Sequence, residues 1–589
     1  MLFNELAKYF QKIENNSSRL VMEEIVAEML KKQTETEVAI SVYLLNARLA
    51  PRFVKSEFNM AVKSVLESIK IVLTDINIDE LYKELGDPGD LLMKLKDDRS
   101  KSLLSIEEVY DMLWEIANYE GSGSTTRKIN KMASLLSKVG NVEGKYLCRL
   151  VSGKLRLGCS DRTIMFSISK HMNIMQSELN YAYGVCSDIG LVTMYALSDN
   201  LDLSDIEIQP GIPIQAQLVE RATNFEEIIK RYPSVYVQPK FDGLRCQIHI
   251  YTSHRDKKVV EPIWKKHVAS KVKSKKMFFT KKEKFVKLFS RNLEDLTGMF
   301  PDIVSELQAS DINNKIFDSE VIGIKTSGEF TSFQDTIKRK RKHDIKKMAD
   351  EIPVKALVFD IIYSDGESLI RNKLKNRIKK MKSERLNGLT LLDISETTLV
   401  CDIQTGRKMF EKYLEKGLEG IVAKNPNSEY QPGLRNFEWI KLKKSVNKHF
   451  FDTVDVVVVG FYKGRGKRAK YGLGALLTSI YDRESDTFLS IAKVGTGISD
   501  EQLQLIYKVL VKLKVKGSLS NVIIPKELNP DVLVYPKIVC VVDADEVTKS
   551  KRHTSGYSLR FPRLTVFDRK DKDPTDITSL EEVRRSIDA

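Results

Sequence analysis

The chain has 589 residues, of which 42% are hydrophobic and 30% are charged, and its formal net charge is +15. The length allows about three or four domains with cores of their own, which excludes a small module held together by disulfides. The composition excludes a disordered or fibrous chain, and the basic balance favours a polyanionic partner without separating nucleic acid from a membrane surface.

The first third of the chain has a helical pattern. Apolar residues recur at helical spacing from Phe3 to about Leu201, which predicts an all-helical domain over residues 1–207. Polar breaks at Gly86–Asp90 and Gly121–Lys128 are typical of loops that lead into helix starts. The first residues are amphipathic and include acids, and no run of about 18 apolar residues follows, so we expect neither secretion nor a membrane span.

A second pattern follows the proline-rich join at Ile208–Pro213. Runs rich in β-branched and aromatic residues alternate there with helical segments. These runs predict strands at Val235–Gln238, Gln247–Tyr251, Lys315–Gly323 and Ala356–Tyr363. We therefore predict an α+β domain over residues 208–447.

A third pattern begins near Asp452. Short apolar runs at Thr453–Tyr462, Ala475–Asp482 and Phe488–Gly497 are separated by glycine-rich or acidic turns, which favours a small β-barrel over residues 448–589. The predicted fold class is thus multidomain, with an all-α domain, an α+β domain and a β-barrel in chain order. Six scattered cysteines without a CxxC pair predict neither a disulfide framework nor a zinc site.

The net charge is concentrated in two segments of the predicted α+β domain. Residues 255–287 carry a net +10 and residues 338–347 a net +6, whereas the remaining positions sum to −1. Two interpretations of residues 255–287 stay open. The stretch is either a solvated lysine loop or a segment that packs partly through Trp264 and three phenylalanines and grips a phosphate backbone.

The most informative motif is Lys240-Phe-Asp-Gly-Leu-Arg245, directly after the strand-like Val235–Gln238. By itself a KxDGxR pattern is a weak signal, because a lysine near an aspartate is usually a surface pair. Six further motifs follow it in order: Ser290–Asn292, Phe317–Gly323, Val358–Ile361, Glu419–Lys424, Trp439–Lys443, and Arg560–Arg563 with Arg569–Lys572. Seven motifs in one order point to a specific enzyme family.

This series resembles the covalent lysine nucleotidyltransferases, and among them the ATP-dependent DNA ligases of the archaeal and eukaryotic replicative type. The resemblance covers nearly the whole chain: Glu143–Arg149 and Gly153–Gly158 resemble that family's helical DNA-binding domain, and Arg560–Ile577 resembles its closing motif. It implies a helical DNA-binding domain, an adenylation domain of ATP-grasp-like nucleotidyltransferase fold, and a C-terminal OB-fold barrel.

The chemistry of lysine gives this assignment a physical basis. An amine that attacks the α-phosphorus of ATP must be unprotonated, whereas a free lysine has a pKa of about 10.4 and needs burial or neighbouring cations. Arg245, Lys441 and Lys443 are candidates for those cations. The same groups would stabilise the charge on the departing pyrophosphate.

The resemblance implies a role for each motif residue. Lys240 becomes the Lys–AMP intermediate, Phe359 stacks on adenine, and Glu320 and Glu419 hold Mg²⁺ through their carboxylate oxygens. Contacts to the nucleotide are implied for Gln238, Arg245, Arg291, Glu320, Phe359, Arg435, Lys441 and Lys443. Arg560, Arg563, Arg569 and Lys572 form the closing motif, which faces DNA and is needed for the first step. Taken singly, Phe359 would also fit a strand core, Glu320 a surface ion pair and Trp439 a packing residue.

Two positions depart from the family pattern. Gln238 stands where many relatives have a glutamate that contacts the exocyclic amine of adenine. Because an amide can flip and donate to a guanine carbonyl, we hypothesise that ATP is the donor with relaxed base choice. The lysine-rich residues 255–287 lengthen the interval between Lys240 and Arg291 beyond the family's usual spacing.

The implied function is the sealing of nicks in duplex DNA with ATP and Mg²⁺, in the service of DNA replication, repair, recombination and cell division. We expect a monomer without a membrane partner, and a sliding clamp stays open as a further partner. We expect it in a prokaryotic cytoplasm with the DNA, or in the nucleus of a eukaryote. The run Lys338–Lys342 imitates a nuclear-localisation signal, but the resemblance places such residues inside the catalytic domain.

Three alternatives stay open. An RNA-capping or RNA-ligase type of nucleotidyltransferase shares the lysine chemistry, although the helical first third argues against a capping enzyme. A non-catalytic DNA-binding scaffold built on a decayed ligase is the alternative of a different class. The presence of Lys240, Glu320, Glu419 and Lys441 argues against decay.

Overall fold

The computed structural model describes residues 1–16, 18–74, 76–97, 102–153, 155–252, 262–272, 284–325, 327–331, 333–339, 345–384, 386, 388–443, 453–515, 517 and 519–588. The chain divides into two compact units, Met1–Ile76 with Leu92–Lys444 and Asn77–Leu91 with Ser445–Ala589. We describe each unit by itself.

Helices occupy the first third of the chain. They are α1 (Phe3–Glu14), α2 (Arg19–Leu30), α3 (Glu35–Leu45), α4 (Val62–Val72), α5 (Ile78–Leu85), α6 (Pro88–Leu95), α7 (Ile106–Asn118), α8 (Ser124–Ser137), α9 (Asn141–Val151), α10 (Asp161–Met172), α11 (Gln176–Cys186) and α12 (Ile189–Leu197). The helices α1–α4 and α7–α12 lie in the first unit and are called the helical region below. The predicted helical pattern is confirmed.

Polar residues at the helix starts explain several of these boundaries. Thr34 and Glu37 form a capping box on α3, and Ser105 and Glu108 form another on α7. The helices α6 and α8 begin inside the two stretches that were predicted to be loops leading into helices. Short polar breaks therefore separate helices whose apolar faces pack together.

The rest of the first unit is called the two-sheet region. Its strands are β1 (Leu218–Arg221), β2 (Val235–Lys240), β3 (Leu244–Thr252), β4 (Lys284–Ser290), β5 (Lys315–Gly323), β6 (Val354–Ser364), β7 (Glu367–Ser368), β8 (Leu392–Ile394), β9 (Thr398–Val400), β10 (Gly420–Lys424) and β11 (Arg435–Lys443). Its helices are α13 (Phe225–Arg231), α14 (Lys265–Val272), α15 (Pro301–Ala309), α16 (Phe333–Thr336), α17 (Ile345–Glu351), α18 (Leu374–Ser383) and α19 (Ile403–Glu415).

Two sheets organise this region. One has the strand order β1-β11-β10-β2-β9, and the other has the order β4-β3-β5-β6-β7 with β8 paired to β6. The first sheet buries Val237, Ile421, Ile440 and their neighbours against α13 and α19. Its opposite face meets the second sheet, since the Gln238 side chain donates a hydrogen bond to the Phe359 carbonyl at 3.1 Å.

The second unit is rich in strands. They are β12 (Val454–Tyr462), β13 (Ala475–Asp482), β14 (Thr487–Val494), β15 (Val522–Ile523), β16 (Val532–Leu533), β17 (Val539–Asp543), β18 (Glu546–Lys549), β19 (Tyr557–Arg560) and β20 (Arg563–Val566), with helices α20 (Asp500–Val511) and α21 (Leu580–Asp588). The main sheet has the order β15-β14-β13-β12-β17-β20, with β16 paired to β12. The Leu564 amide donates to the Thr496 carbonyl at 3.0 Å, so the sheet curls until β20 meets the chain beyond β14.

The strands predicted from sequence are present, at β2, β3, β5, β6, β12, β13 and β14. The domain boundary predicted at 447/448 falls in residues 444–452, which lie outside the described residues, and the boundary at 207/208 stays a prediction. All six cysteines are free. Within the described ranges, no helix is long and apolar enough to cross a membrane.

The two basic segments are described only in part. Of residues 338–347, Arg339 is buried and pairs with Asp302 through two hydrogen bonds of 3.0 and 2.8 Å, so this cation is structural. Residues 340–344 lie outside the described residues, as do 253–261 and 273–283 of the lysine-rich stretch and its flank. Residues 284–287 are the first part of β4, so the end of the lysine-rich stretch belongs to a strand of the second sheet.

Candidate active site

The register of the five-stranded sheet gathers most of the predicted site on one face. In the β10–β2 ladder Gly420 pairs with Lys240 and Val422 with Gln238, and in the β10–β11 ladder the same two residues pair with Lys443 and Lys441. Directly paired residues share a face, and alternate residues along a strand return to it. Lys240, Gln238, Lys441 and Lys443 therefore line one face, which fronts the second sheet.

Two glycines allow the close approach of these strands. Gly420 has a φ of +146°, and a Cβ there would lie 2.3 Å from the Leu442 carbonyl oxygen. A Cβ on Gly243 would lie 2.7 Å from the Val321 carbonyl oxygen. Each glycine follows an acidic residue of a motif, Asp242 or Glu419, so the backbone packing explains the Asp-Gly and Glu-Gly pairs in physical terms.

Lys240 lies at the end of β2 and is paired with a carboxylate. Its ammonium contacts the Glu419 carboxylate, and the Glu419 amide donates to the Lys240 carbonyl at 3.1 Å. Both side chains keep partial exposure, 24% for Lys240 and 31% for Glu419, so solvent and ligands reach the pair. The expected neighbourhood of cations thus also contains a carboxylate.

Gln238 is buried and its amide orientation is fixed. Its Nε2 donates to the Phe359 carbonyl at 3.1 Å and to Thr397 Oγ1 at 2.9 Å. The Thr397 hydroxyl itself donates to the Ser395 carbonyl at 3.1 Å, so its oxygen accepts from Gln238. A flip of the amide would set its oxygen against the Phe359 carbonyl, and Oε1 is thus the atom presented as an acceptor.

Phe359 lies on β6 among aromatic and cationic groups. Its ring meets the Trp439 ring edge-on at 6.1 Å, and the Lys424 ammonium lies 4.5 Å from its centroid. Trp439 is 1% exposed, which agrees with the expected packing role. Phe359 is only partly buried, so a base can reach its ring.

Lys424 is a buried lysine that the sequence motifs contained but that we did not single out. Its ammonium lies 3.7 Å from the Trp439 ring centroid and donates to the Phe359 carbonyl at 3.3 Å. Burial lowers the pKa of Lys424 to about 7, although the nearby carboxylates of Asp360 and Asp318 oppose the shift. In the sequence, this residue is recognisable only as the lysine that ends the motif Glu419–Lys424.

The two nearby aspartates are held by arginines. Arg245 binds Asp318 through two hydrogen bonds of 3.0 and 2.6 Å and also donates to the Gln217 carbonyl at 2.6 Å. Arg377 binds Asp360 in the same two-pronged way at 2.9 Å, with both side chains fully buried. The charge of Arg245 is therefore balanced by the Asp318 carboxylate.

Glu320 and Glu419 flank Lys240. Burial raises the pKa of Glu320, the cations of Lys240 and Arg245 lower it, and the negative charges of Asp318 and Glu419 raise it, with a net value of about 7. A divalent cation would relieve this repulsion, and carboxylate oxygens are the ligands that Mg²⁺ prefers. The two carboxylates fit such an ion together with phosphate oxygens, although the described residues contain no cluster of three or more potential metal ligands.

The expected phosphate-binding cations lie near one another. Burial lowers the pKa of Lys441, and Lys443, Lys240, Arg435 and Arg291 lower it further. Arg291 directly follows Ser290, which pairs with Cys246 in the β3–β4 ladder, so the register brings Arg291 beside Arg245 despite the long insertion. This cluster is strongly positive, as a pocket for a polyphosphate requires.

Arg435 reaches the cluster through an irregularity in β11. The β1–β11 ladder pairs Val219 with Asn436 and the next residue, Glu220, with Ile440. The register of β11 against β1 thus shifts by three residues at this point. Arg435 thereby comes close enough to lower the pKa of both Lys441 and Arg291 by charge repulsion.

The closing-motif residues lie in the second unit and form ion pairs there. Arg569 and Lys572 both contact Asp455, at the start of β12. Arg563 pairs with Asp543 at 3.2 Å and with Asp545 at 2.7 Å, and Arg560 is exposed. These contacts place the four residues on one strand-rich unit and do not by themselves assign a chemical role.

The Glu143–Arg149 motif proves to be part of a buried network. Lys145 and Arg149 pair with Glu14 at 3.0 and 2.9 Å, and the Tyr146 hydroxyl donates to Glu14 at 2.8 Å. These hydrogen bonds and charges outweigh burial and lower the pKa of Glu14 to about 2. The motif thus ties α9 to α1 and stabilises the helical region.

Comparisons with known proteins agree along the whole chain. Residues 2–169 match the family model of the DNA ligase N terminus, residues 265–443 that of the ATP dependent DNA ligase domain, and residues 469–572 that of the ATP dependent DNA ligase C terminal region. Lys240 precedes the second match, but full-length relatives cover it.

Two such relatives and one solved structure illustrate the similarity. A probable DNA ligase of Dictyoglomus turgidum is 39% identical, over 99% of this chain and 97% of its own length. A DNA ligase of Pyrobaculum islandicum is 32% identical, over 99% of this chain and 98% of its own. The solved structure named Pmar-Lig_PreS3 has a TM-score of 0.53 at 19% identity and covers 95% of this chain and 99% of its own, which supports a shared fold.

Proposed function

Because the chain belongs to the ATP-dependent DNA ligase family, with a helical N-terminal region and sheet-rich nucleotidyltransferase and C-terminal domains, we propose that Lys240 is the residue that carries AMP. The observation that carries this proposal is the shared sheet face on which Lys240 lies with Gln238, Lys441 and Lys443, opposite Phe359. The chain is an ATP-dependent DNA ligase, and the RNA-directed and non-catalytic alternatives are not favoured.

The first proposed step transfers AMP to the enzyme. Glu419 contacts the Lys240 ammonium and is placed to accept its proton. The freed nitrogen attacks the α-phosphorus of ATP, an N–P bond forms, and the bond to pyrophosphate breaks. Arg291, Arg435, Lys441 and Lys443 would stabilise the charge on the pyrophosphate as it leaves.

The next two proposed steps take place on a nick in duplex DNA. An oxygen of the 5′-phosphate attacks the phosphorus of Lys–AMP, and Lys240 leaves as the amine. The 3′-hydroxyl then attacks the 5′-phosphate, a phosphodiester bond forms, and AMP departs. The closing-motif residues Arg560, Arg563, Arg569 and Lys572 are proposed to support the first step and to face DNA.

The base is proposed to lie between Gln238 and Phe359. Gln238 Oε1 would accept from the exocyclic amine of adenine, and Phe359 would stack on the ring. Since the amide orientation is fixed by Phe359 and Thr397, we replace the hypothesis of relaxed base choice with one of strict choice for adenine. Arg245 is reassigned to hold Asp318 below this pocket instead of contacting the nucleotide.

Glu320 and Glu419 are proposed to hold Mg²⁺, which would neutralise negative charge on the phosphates. The curled sheet of the second unit, with β20 meeting the chain beyond β14, supports an OB-fold barrel. We propose domains at residues 1–207, 208–447 and 448–589. We also propose a monomer that acts where the cell's DNA lies, in replication, repair or recombination, and a sliding clamp stays open as a partner.

A sealing assay tests this function. The purified protein is incubated with a nicked DNA duplex, Mg²⁺, and either ATP or GTP, and in parallel with nicked duplexes whose 3′ or 5′ strand is RNA. We expect ATP-dependent sealing of the all-DNA nick. Sealing confined to RNA strands would support the RNA-directed alternative, and a protein that binds nicks without sealing them would support the scaffold alternative.

A further inference from the structure

The lysine-rich insertion between β3 and β4 carries a short ordered segment that contacts the helical region. Residues 262–268 are called the strap below. They include Trp264, directly before α14, and His267, in the first turn of α14. Nothing in the nucleotide chemistry described above uses these two side chains. Their contacts lie between parts of the chain that are more than 70 residues apart in sequence.

Trp264 completes a buried polar site of the helical region. Its indole N–H donates to Asp188 at 2.9 Å, and the Asp188 carboxylate also accepts from the Tyr43 hydroxyl at 2.6 Å and from the Leu191 amide at 3.0 Å. Asp188 is 2% exposed. Because a buried carboxylate that loses a donor bears a desolvation penalty, the strap and the helical region stabilise each other at this point.

His267 forms the second anchor. Its ring stacks on Trp114 with a centroid distance of 5.2 Å and an angle of 6°, and Tyr110 meets it edge-on at 5.3 Å. Asp111 lies 3.2 Å from His267 and 3.4 Å from Lys266. Trp114 and Tyr110 are core residues of α7, so the strap continues an aromatic cluster of the helical region.

We propose that the strap docks the two-sheet region onto the helical region, so that the two bind DNA as one preassembled body. Two regions that are already joined lose less conformational entropy when they bind DNA than two regions that meet only on the DNA. Their affinity for DNA is therefore higher. The strap gives the basic insertion a role that does not depend on phosphate contact. The packing of Trp264 agrees with the second of the two interpretations of this stretch.

The test uses the full-length double variant Trp264→Ala/His267→Ala. Spin labels on α11 and on β9 report the distance between the two regions by double electron–electron resonance. Fluorescence anisotropy measures the dissociation constant for a nicked duplex at several salt concentrations. We expect a broader distance distribution, a dissociation constant raised by about tenfold, and an unchanged slope of log affinity against log salt. Self-adenylation with ATP should change less than about twofold, which also shows that the variant is folded.

Two further variants sharpen the outcome. Trp264→Phe keeps the ring against Phe53 but removes the donor to Asp188, and it should broaden the distances to a smaller extent. Lys287→Ala, on β4, removes a half-buried cation that pairs with Asp295 in the same hairpin, and it should leave the distances unchanged. An unaltered distance distribution in both Trp264 variants overturns the proposal, and so does an affinity loss accompanied by a shallower salt dependence, which would assign the strap to phosphate contact.

Discussion

Glu419 contacts the ammonium of Lys240 through its side chain and the carbonyl of Lys240 through its amide, at 3.1 Å for the latter. One residue is therefore fixed to the nucleophile twice. The backbone contact does not depend on the Glu419 side chain, so a change from Glu to Gln tests the carboxylate alone. This separation makes Glu419 the most informative partner of Lys240.

The substitution Glu419→Gln should lower the rate of self-adenylation by about 10- to 100-fold. The amide cannot accept the proton of Lys240, and it is a poorer ligand for Mg²⁺. The rate is measured with labelled ATP in a single turnover. Glu415→Gln, which neutralises an exposed carboxylate near the end of α19, is the matched control and should react at the wild-type rate. An unchanged rate in Glu419→Gln would assign the ion pair to structure only.

The fixed amide of Gln238 predicts strict use of ATP. Competition between labelled ATP and GTP should favour ATP by at least about 100-fold, because guanine would set a carbonyl against Oε1. Gln238→Leu should narrow this preference and raise the KM for ATP. Equal labelling of the wild-type protein by the two nucleotides would restore the hypothesis of relaxed base choice.

Lys424 predicts a dependence of stability on pH. The folded pKa of about 7 lies below the ordinary lysine pKa of 10.5, so between these values the unfolded chain binds a proton that the folded chain does not. Stability should therefore rise with pH over this interval, by about 2 kcal/mol between pH 7 and 9 at most. Lys424→Met should lack this contribution. The melting temperature of the wild type should gain on that of the variant as the pH rises, and a gap independent of pH would contradict the assignment. Lys379→Met, at an exposed position of α18, should parallel the wild type.

Glu14 predicts an acid-sensitive helical region. Its pKa is lowered to about 2 from the ordinary glutamate value of 4.5, so the stability that it contributes is present above pH 4.5 and is lost as the pH falls toward 2. Glu14→Gln should destabilise the helical region by about 3 kcal/mol at neutral pH, because it removes a carboxylate that two buried cations share. Hydrogen exchange of α1 and α9 measures the loss. Glu28→Gln, on the surface of α2, should have little effect, and self-adenylation should persist in both variants.

The sequence predicted the elements of the site better than their interactions. The ordered motifs indicated that Lys240, Glu419 and Lys441 belong together, and the strand register confirms that they share a neighbourhood. The pairing of Arg245 with Asp318 could not be foreseen, because it depends on the register of β3 against β5. Each motif shows which charged residues are present, but it does not show which of them form ion pairs with one another.

Thr397 and the strap illustrate the same limit. Thr397 belongs to no sequence motif. It directly precedes β9, which pairs with β2, and its hydroxyl oxygen therefore accepts a hydrogen bond from Gln238. The sequence shows Trp264 as an aromatic residue within a basic stretch, but its hydrogen-bond partner Asp188 is distant in sequence. Such contacts arise from tertiary packing between remote segments, for which one sequence offers no periodic pattern.

The site of AMP attachment tests the account most directly. The protein is incubated with ATP and Mg²⁺, digested, and its peptides are sequenced by mass spectrometry. We predict one added AMP on Lys240, lost with concurrent sealing when a nicked duplex is supplied, and none in Lys240→Arg. AMP on another residue, or undiminished labelling of Lys240→Arg, would contradict the assignment of Lys240 as the nucleophile.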